Sequence, residues 1–148
     1  MSVFQGSLPI NMDAKGRMAI PSKYRDPLAA ACEGRLIVTA SPYERCLMIY
    51  PEPQWQVLSK KIAGLNNSHP ATRRLQRLVL GNATEVELDS NGRILLPQIL
   101  RDYASLDKKL VFVGLSDKAE LWSEEGWNAQ LDAQDDGELP DELLNLSL

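Results

Sequence analysis

The sequence predicts a mainly β fold with added helices, an α+β class, in which two tandem repeats form one pseudo-two-fold unit. The letters DAKGR at 13–17 return as DSNGR at 89–93. In each copy a proline follows the arginine by four residues, and a second arginine follows the proline by four. The segments around both copies have the composition of short strands separated by turn residues. Because an internal repeat constrains the whole architecture, this duplication is the first guide to the fold.

The two copies agree in residue type as well as in spacing. Windows 12–25 and 88–101 align without a gap, and most of their remaining positions pair by chemical type. The identical pairs are Asp13/Asp89, Gly16/Gly92, Arg17/Arg93, Pro21/Pro97 and Arg25/Arg101.

Each repeat begins with two short strands around the DxxGR turn. We expect the first strand at 7–12 and 83–88, and the second at 17–20 and 93–96. The Lys-Gly and Asn-Gly pairs in the turns supply the left-handed backbone that a tight hairpin requires, so Asp and Arg are expected to flank a two-residue turn. A proline ends each second strand because it has no N–H to donate to a ladder.

A helix and two further strands complete each repeat. Helices are predicted at 21–31, with Ser22 as a candidate N-cap, and at 97–106. Buried strands are predicted at 35–40 and 109–114. A strand that leads into a helix follows at 46–55 and 119–127, and the paired tryptophans there, Trp55 and Trp127, are expected in the core.

Four segments follow from this alignment. A small hairpin cannot stand alone, so the two copies are expected to cover each other's apolar faces with their turns close together. The first repeat with its closing helix spans 1–66, a linking helix 67–82 and the second repeat 83–130. An acidic extension, expected to be frayed or separately docked, spans 131–148.

Charge is distributed unevenly along the chain. The net charge is −4, yet residues 1–74 hold ten basic and five acidic residues, whereas residues 75–148 hold six and fifteen. The first half can therefore face a polyanion more easily than the second. No apolar run approaches the ~20 residues of a membrane helix, and the N-terminal segment lacks the pattern of a secretory signal, so we expect no membrane partner.

The composition argues against an enzyme. The single histidine, His69, cannot complete a triad or a metal cluster, and the two cysteines are expected to be buried and reduced. No phosphate-binding loop, HExxH or CxxC motif is present. We therefore expect no catalytic residue, metal, cofactor or small-molecule substrate.

The repeated turn has two possible uses. Its aspartate and arginine can form a structural cross-strand ion pair, which contributes at most ~1 kcal/mol when exposed. Alternatively, the carboxylate orients a guanidinium that reads guanine edges or grips phosphates. Two copies at a fixed separation favour the second use.

The candidate DNA contacts are Lys15, Arg17, Lys23, Arg25, Asn91 and Arg93, with Asp13, Gly16, Asp89 and Gly92 as organisers of the turns. Basic residues surround the first turn, which makes it the stronger candidate for phosphate contact. The second turn carries Asn91 where the first carries Lys15, and it is expected to reach base edges.

The whole chain resembles the MraZ family of bacterial proteins, and each repeat resembles the AbrB-like swapped-hairpin domain. The matching residues run from Phe4 to Arg25 (F-x-G-x-x-x-x-N-x-D-x-K-G-R-x-x-x-P-x-x-x-R) and from Asp89 to Arg101 (D-S-N-G-R-x-x-x-P-x-x-x-R). The resemblance implies tandem swapped hairpins in a β-barrel-like unit with peripheral helices. It departs at position 91, where a basic residue would strengthen the second turn.

The resemblance also implies a function. The expected protein is a cytoplasmic, nucleoid-associated repressor of its own operon, the division and cell-wall gene cluster. It would bind direct repeats in promoter double-stranded DNA as a closed homo-oligomeric ring, with Lys15, Arg17, Asn91 and Arg93 at the DNA. Two alternatives stay open: a ring-shaped protein-interaction scaffold with structural Asp–Arg turns, and an antidote-type partner of a toxin, against which the in-chain duplication argues.

Overall fold

A computed structural model describes residues 4–133 and 137–147 of the chain. The start of the predicted first repeat (1–3) and two parts of the predicted acidic extension (134–136 and 148) lie outside the described residues. The α+β class predicted from the sequence is confirmed, with strands and helices distributed through both repeats.

The elements follow the predicted order. The strands are β1 (Phe4–Asn11), β2 (Arg17–Ala19), β3 (Arg35–Ala40), β4 (Leu47–Pro51), β5 (Thr84–Glu87), β6 (Arg93–Leu95), β7 (Lys109–Ser116) and β8 (Ala119–Ser123). The helices are α1 (Ser22–Cys32), α2 (Glu52–Ala63), α3 (Pro70–Val79), α4 (Gln98–Tyr103), α5 (Glu124–Asp132) and α6 (Asp141–Leu144).

Strands exchange between the repeats. A six-stranded antiparallel sheet has the order β1-β7-β8-β4-β3-β5, and a separate two-stranded ribbon is formed by β2 and β6. The first strand of each repeat pairs with the third strand of the other, β1 with β7 and β5 with β3. If each strand is replaced by its counterpart in the other repeat, the same order is obtained, read from the opposite edge of the sheet. The sheet therefore has the expected pseudo-two-fold symmetry. The described strands form no closed barrel.

Both faces of the sheet are covered. Alternate residues of the strands point to opposite faces, as the pleat requires. One face packs the main core, which includes Leu36, Leu110 and Phe112, beneath the ribbon and helices α1 and α4. The other face carries Ile37 in a cluster with Trp55 of α2 and Val79 of α3, and a smaller cluster around Trp122 lies beneath α5. The ribbon therefore lies on the outside of the main core, with helices flanking it.

Three local predictions differ from the structure. Helix α1 begins at Ser22 with Pro21 at the N-cap position, and no side chain caps it. The linking helix, predicted at 67–82, is α3 at Pro70–Val79, and His69 is its N-cap, where the Nδ1 accepts the N–H of Ala71 at 3.1 Å. The first strand does not form a local hairpin ladder with the second: its long ladder is with β7, and within the described residues an isolated bridge from Met12, just after β1, reaches Met18 of β2.

The core position predicted for Trp55 and the burial predicted for the two cysteines are confirmed, whereas Trp127 is only half-buried. Trp55 is buried, and Trp127 packs against Trp122 with ring centroids 6.2 Å apart. Cys32 and Cys46 are buried and free. Within the described ranges, none of the helices combines the length and hydropathy that crossing a membrane requires.

Candidate nucleic-acid interface

The two DxxGR turns lie at the two ends of one ribbon. We call residues 13–17 the first turn and residues 89–93 the second turn. Arg17 pairs with Leu95, and Arg93 pairs with Ala19 across β2 and β6. Cross-strand partners share a face, so these four side chains lie on one side of the ribbon while Met18 and Ile94, both buried, point into the core. The two arginines are diagonal neighbours, ~7–8 Å apart at the backbone by antiparallel geometry.

In the first turn the aspartate binds backbone rather than guanidinium. One oxygen of Asp13, Oδ1, accepts the N–H of Lys15 and the N–H of Arg17, both at 2.9 Å. The N–H of Asp13 donates to the carbonyl of Arg17 at 2.9 Å, and the N–H of Gly16 donates to the carbonyl of Asp13 at 3.1 Å. Three residues therefore lie between the paired Asp and Arg, one more than the tight hairpin that we expected.

The second turn repeats this arrangement. Oδ1 of Asp89 accepts the N–H of Asn91 at 2.8 Å and the N–H of Arg93 at 2.9 Å. The Asp–Arg ion pair, the structural alternative for this turn, is present here as a loose contact, with 3.7 Å between Nε of Arg93 and Oδ2 of Asp89. The loop needs a residue with positive φ before the arginine, and the glycines supply φ of 92° at Gly16 and 73° at Gly92.

Hydrogen bonding lowers the pKa of both aspartates. The N–H of Arg17 contributes most to the lowered pKa of Asp13, and that of Arg93 contributes most for Asp89. Each carboxylate is also stabilised by the positive charge of the arginine in the other turn, Arg93 for Asp13 and Arg17 for Asp89. The two turns therefore share one electrostatic environment, and both carboxylates are ionised at neutral pH.

The side chains that project from the turns make few interactions within the described chain. Among the described residues, no hydrogen bond or ion pair involves the side chains of Lys15, Arg17 or Asn91. The Nε of Arg93 is buried and has no hydrogen-bond partner in the described chain. Lys15 and Asn91 are exposed, and the two arginines are half-buried at the base of the turns. Lys15, Arg17 and Asn91 therefore present side-chain donors that make no hydrogen bond within the described chain.

Lys23 and Arg25, the two remaining predicted DNA contacts, already make interactions within the chain. Lys23 is exposed, and its Nζ donates to the carbonyl of Gln5 at 3.3 Å while lying 5.0 Å from the centre of the Tyr24 ring. Arg25 is half-buried, and its Nε donates to the carbonyl of Ile20 at 2.8 Å. Neither side chain projects from a turn.

Two residues near the ribbon were missed by reasoning from the sequence. Leu95 is 55% exposed on the outer face of the ribbon, beside Arg17. Arg101 occupies in the second repeat the place of Arg25 in the first, and its Nε donates to the carbonyl of Leu96 at 3.1 Å. The identity of Arg25 and Arg101 in the repeat alignment was the signal that could have identified Arg101. Within the described residues, no group of three or more His, Cys, Asp or Glu side chains is placed to hold a metal ion.

A protein-family model matches both repeats. The family is described as "MraZ protein, putative antitoxin-like", and its model matches residues 3–78 and again residues 79–142. The boundary between the two matches falls at the end of α3, so each match contains one DxxGR turn.

Curated relatives match over the full length. The chain is 60% identical over 147 residues to the "Transcriptional regulator MraZ" of Saccharophagus degradans, a match that covers 99% of this chain and 100% of the relative. It is 58% identical over 150 residues to the protein of the same name from Marinobacter nauticus, with 100% of both chains covered. The protein of that name from Pseudomonas aeruginosa is 48% identical over 151 residues, with 99% of this chain and 100% of the relative covered.

Proposed function

The chain belongs to the MraZ family, and we propose that it is a DNA-binding regulator of transcription whose contacts are made by the two turns of the ribbon. Its relatives are named as transcriptional regulators, so the chain is not an enzyme. The assignment of these residues is based on the arrangement of side chains on the outer face of the ribbon. There Arg17 and Arg93 lie side by side, and their guanidinium groups make no hydrogen bond within the described chain.

The shape of the ribbon supports this assignment. The major groove of B-DNA admits a two-stranded β-ribbon, and arginine pairs bidentately with the edge of guanine. Lys15 projects from the first turn and suits a phosphate, whereas Asn91 in the second turn suits an adenine edge. The exposed Leu95 between the turns offers an apolar surface for a thymine methyl group.

The charges favour several weak contacts acting together. The chain is net acidic, and its basic side chains at the ribbon are few. Linking several such surfaces makes later contacts intramolecular and raises the overall affinity by roughly 10²–10⁴. We therefore propose that the protein acts as a closed homo-oligomeric ring on direct repeats in promoter DNA. The family resemblance extends this proposal to repression of its own operon, the division and cell-wall gene cluster, and to a nucleoid location.

The test compares arginine variants on the DNA upstream of the protein's own gene. We expect Arg17→Ala and Arg93→Ala to weaken binding about tenfold or more, because one lost bidentate contact costs about 1–3 kcal/mol and every subunit carries the change. Binding of the unchanged protein should fall steeply with added salt, since phosphate contacts release counterions. Gel-shift titrations at several salt concentrations measure both effects.

Arg74→Ala is the matched control. Arg74 is exposed on α3, which covers the opposite face of the sheet, so its loss removes the same charge far from the ribbon. Light scattering checks that each variant keeps the assembly of the unchanged protein. Affinity of Arg17→Ala and Arg93→Ala equal to that of Arg74→Ala would contradict the assignment.

The interaction-scaffold alternative rests on one feature of the acidic extension. Leu139, Leu143, Leu144 and Leu146 are 49–63% exposed there, next to the carboxylates of Asp141 and Glu142. Deleting residues 137–148 discriminates between the two functions. Loss of regulation in the cell with DNA affinity unchanged favours the scaffold, whereas unchanged regulation favours the DNA-binding proposal.

A further inference from the structure

Each turn is covered by an arginine from the other repeat. The guanidinium of Arg25, in the first repeat, lies directly against Gly92 in the second turn. A Cβ atom built on Gly92 would lie 2.5 Å from Cδ and 2.6 Å from Cζ of Arg25, so no other residue fits without displacing this side chain. Gly92 is consequently buried, although its neighbours Ser90 and Asn91 in the same turn are exposed.

The reverse contact is present at the first turn. Arg101, in the second repeat, lies against Gly16, and a Cβ atom built there would lie 2.7 Å from Cζ and 2.8 Å from Nε of Arg101. Gly16 is likewise buried between exposed Lys15 and half-buried Arg17. The contacts are therefore reciprocal: the helix of each repeat places an arginine against the turn of the other repeat, although the two turns lie 76 residues apart in sequence.

Backbone hydrogen bonds complete each contact. The N–H of Ile20 donates to the carbonyl of Gly92 at 2.9 Å, and the carbonyl of Ile20 accepts the Nε of Arg25 at 2.8 Å. In the other half, the N–H of Leu96 donates to the carbonyl of Gly16 at 2.9 Å, and the carbonyl of Leu96 accepts the Nε of Arg101 at 3.1 Å. One peptide and one guanidinium from one repeat therefore hold the turn of the other.

We propose that Arg25 and Arg101 are positioning residues that act across the repeats, Arg25 on the second turn and Arg101 on the first. Each fixes the backbone from which a DNA-contacting side chain projects, Arg93 in the second turn and Arg17 in the first. This role replaces the direct DNA contact predicted for Arg25 from its position beside the first turn. The inference rests on the proposed function for its effect on DNA binding, but its structural part can be measured without DNA.

Arg25 and Arg101 already make hydrogen bonds inside the protein. A guanidinium whose Nε donates to a carbonyl and which lies against a glycine has little freedom to follow a phosphate. The glycine it covers has positive φ, a conformation that few other residues adopt, and the arginine side chain fills the space beside it. Loss of the arginine therefore loosens the loop, and the arginine next in the chain, Arg93 or Arg17, loses its fixed direction.

The first experiment measures hydrogen exchange of the free protein by mass spectrometry. We expect Arg25→Ala to speed exchange in peptides that contain 89–93 and to leave those that contain 13–17 unchanged. Arg101→Ala should do the reverse. Lys23→Ala, which removes a charge from the same helix without touching a turn, is the control. If Arg25→Ala fails to assemble, Arg25→Lys serves in its place, since lysine lacks both the flat guanidinium and the Nε donor.

The second experiment is a pair of double-mutant cycles on DNA affinity. We expect Arg25→Ala combined with Arg93→Ala to bind within about twofold of Arg93→Ala alone, because both changes remove the same contact. Combined with Arg17→Ala, the effects of Arg25→Ala should multiply. Arg25→Lys keeps the positive charge but lacks the guanidinium. If Arg25 contacted a phosphate, this variant would retain most of its DNA affinity, whereas a positioning role predicts a loss of affinity.

The outcomes separate the two proposals. Faster exchange in the near turn, or in neither turn, would overturn the positioning role, as would Arg25→Lys with unchanged affinity. Multiplying effects of Arg25→Ala and Arg93→Ala would also overturn it. Unchanged affinity in Arg17→Ala and Arg93→Ala would instead overturn the proposed function, and the exchange experiment would still decide whether the arginines act across the repeats.

Discussion

At each aspartate of the turns, one carboxylate oxygen accepts two backbone N–H groups. This bonding explains why a short side chain is needed at position 13 and again at 89, since a longer acidic side chain would carry its oxygen past both amides. The lowered pKa values give the pH range of this effect. A carboxylate whose pKa is lower in the folded state stabilises that state above its usual pKa, near 3.8, and loses the effect as pH falls through the lowered value. At neutral pH both aspartates are therefore ionised, and their full stabilising effect on the turns is present.

Substitution of Asp13 tests whether these two backbone hydrogen bonds are needed for DNA binding. We expect Asp13→Ala to weaken DNA binding because Lys15 and Arg17 lose their common acceptor, and Asp13→Asn to keep part of the affinity because its amide oxygen still accepts. Gel-shift titration measures the order: unchanged protein, then Asn, then Ala. An Asn variant as weak as the Ala variant would show that the charge of Asp13, rather than its acceptor geometry, is what matters.

At the scale of the element, the ribbon of β2 and β6 is three residue pairs long and yet well defined. Its inner residues Met18 and Ile94 are fully buried in the main core, which orients the outer face. Its ends are held by the two turns, and each glycine there combines positive φ with a covering arginine. The ribbon therefore depends on packing beneath it and on contacts at both ends, since so short a strand pair is marginal alone.

Two glycine variants separate backbone strain from the arginine contact. Gly16→Ala and Gly6→Ala both place a side chain at positive φ, which costs about 1–2 kcal/mol. Open space surrounds the Cβ position at Gly6, whereas the guanidinium of Arg101 occupies it at Gly16. We expect both variants to lower the melting temperature and only Gly16→Ala to lower DNA affinity as well. Equal affinity in the two variants would contradict a role of the covered turn in binding.

At the scale of the whole molecule, neither repeat completes a sheet by itself. Strand β1 finds its ladder on β7, and β5 finds its ladder on β3, so the sheet forms only when both repeats fold. The aromatic rings of Phe4 and Tyr24 from the first repeat meet that of Phe112 from the second, with centroids 5.9 and 5.7 Å from it. Folding of the two halves is therefore expected to be cooperative.

Truncation of Phe112 tests this cooperativity. We expect Phe112→Ala to lower the free energy of unfolding by about 3–5 kcal/mol, because a fully buried ring is lost. Tryptophan fluorescence and far-UV circular dichroism should still report one coincident transition at fixed protein concentration. Leu115→Ala, a partly exposed position on the same strand, is the control with a small effect. Separate transitions for the two signals would mean that the repeats unfold independently.

The repeat, the order of the elements and the residues of the turns could all be predicted from the amino-acid sequence. These features leave local signals: a glycine for positive φ, a proline at a strand end, alternating apolar residues along a strand. The buried positions of Trp55 and the two cysteines were predictable for the same reason, since each depends on the chemistry of one side chain.

The pairing of the strands and the residues that cover each turn could not be predicted in this way and depend on the folded chain. The partner of β1 lies about a hundred residues away in the chain, and a strand carries no mark that names its partner. Arg25 was therefore assigned to the nearer turn, whereas the fold places it against the farther one. The physical reason is that a guanidinium contacts whatever backbone the exchanged strands bring to it, and that position is set by packing across the repeats rather than by distance along the chain.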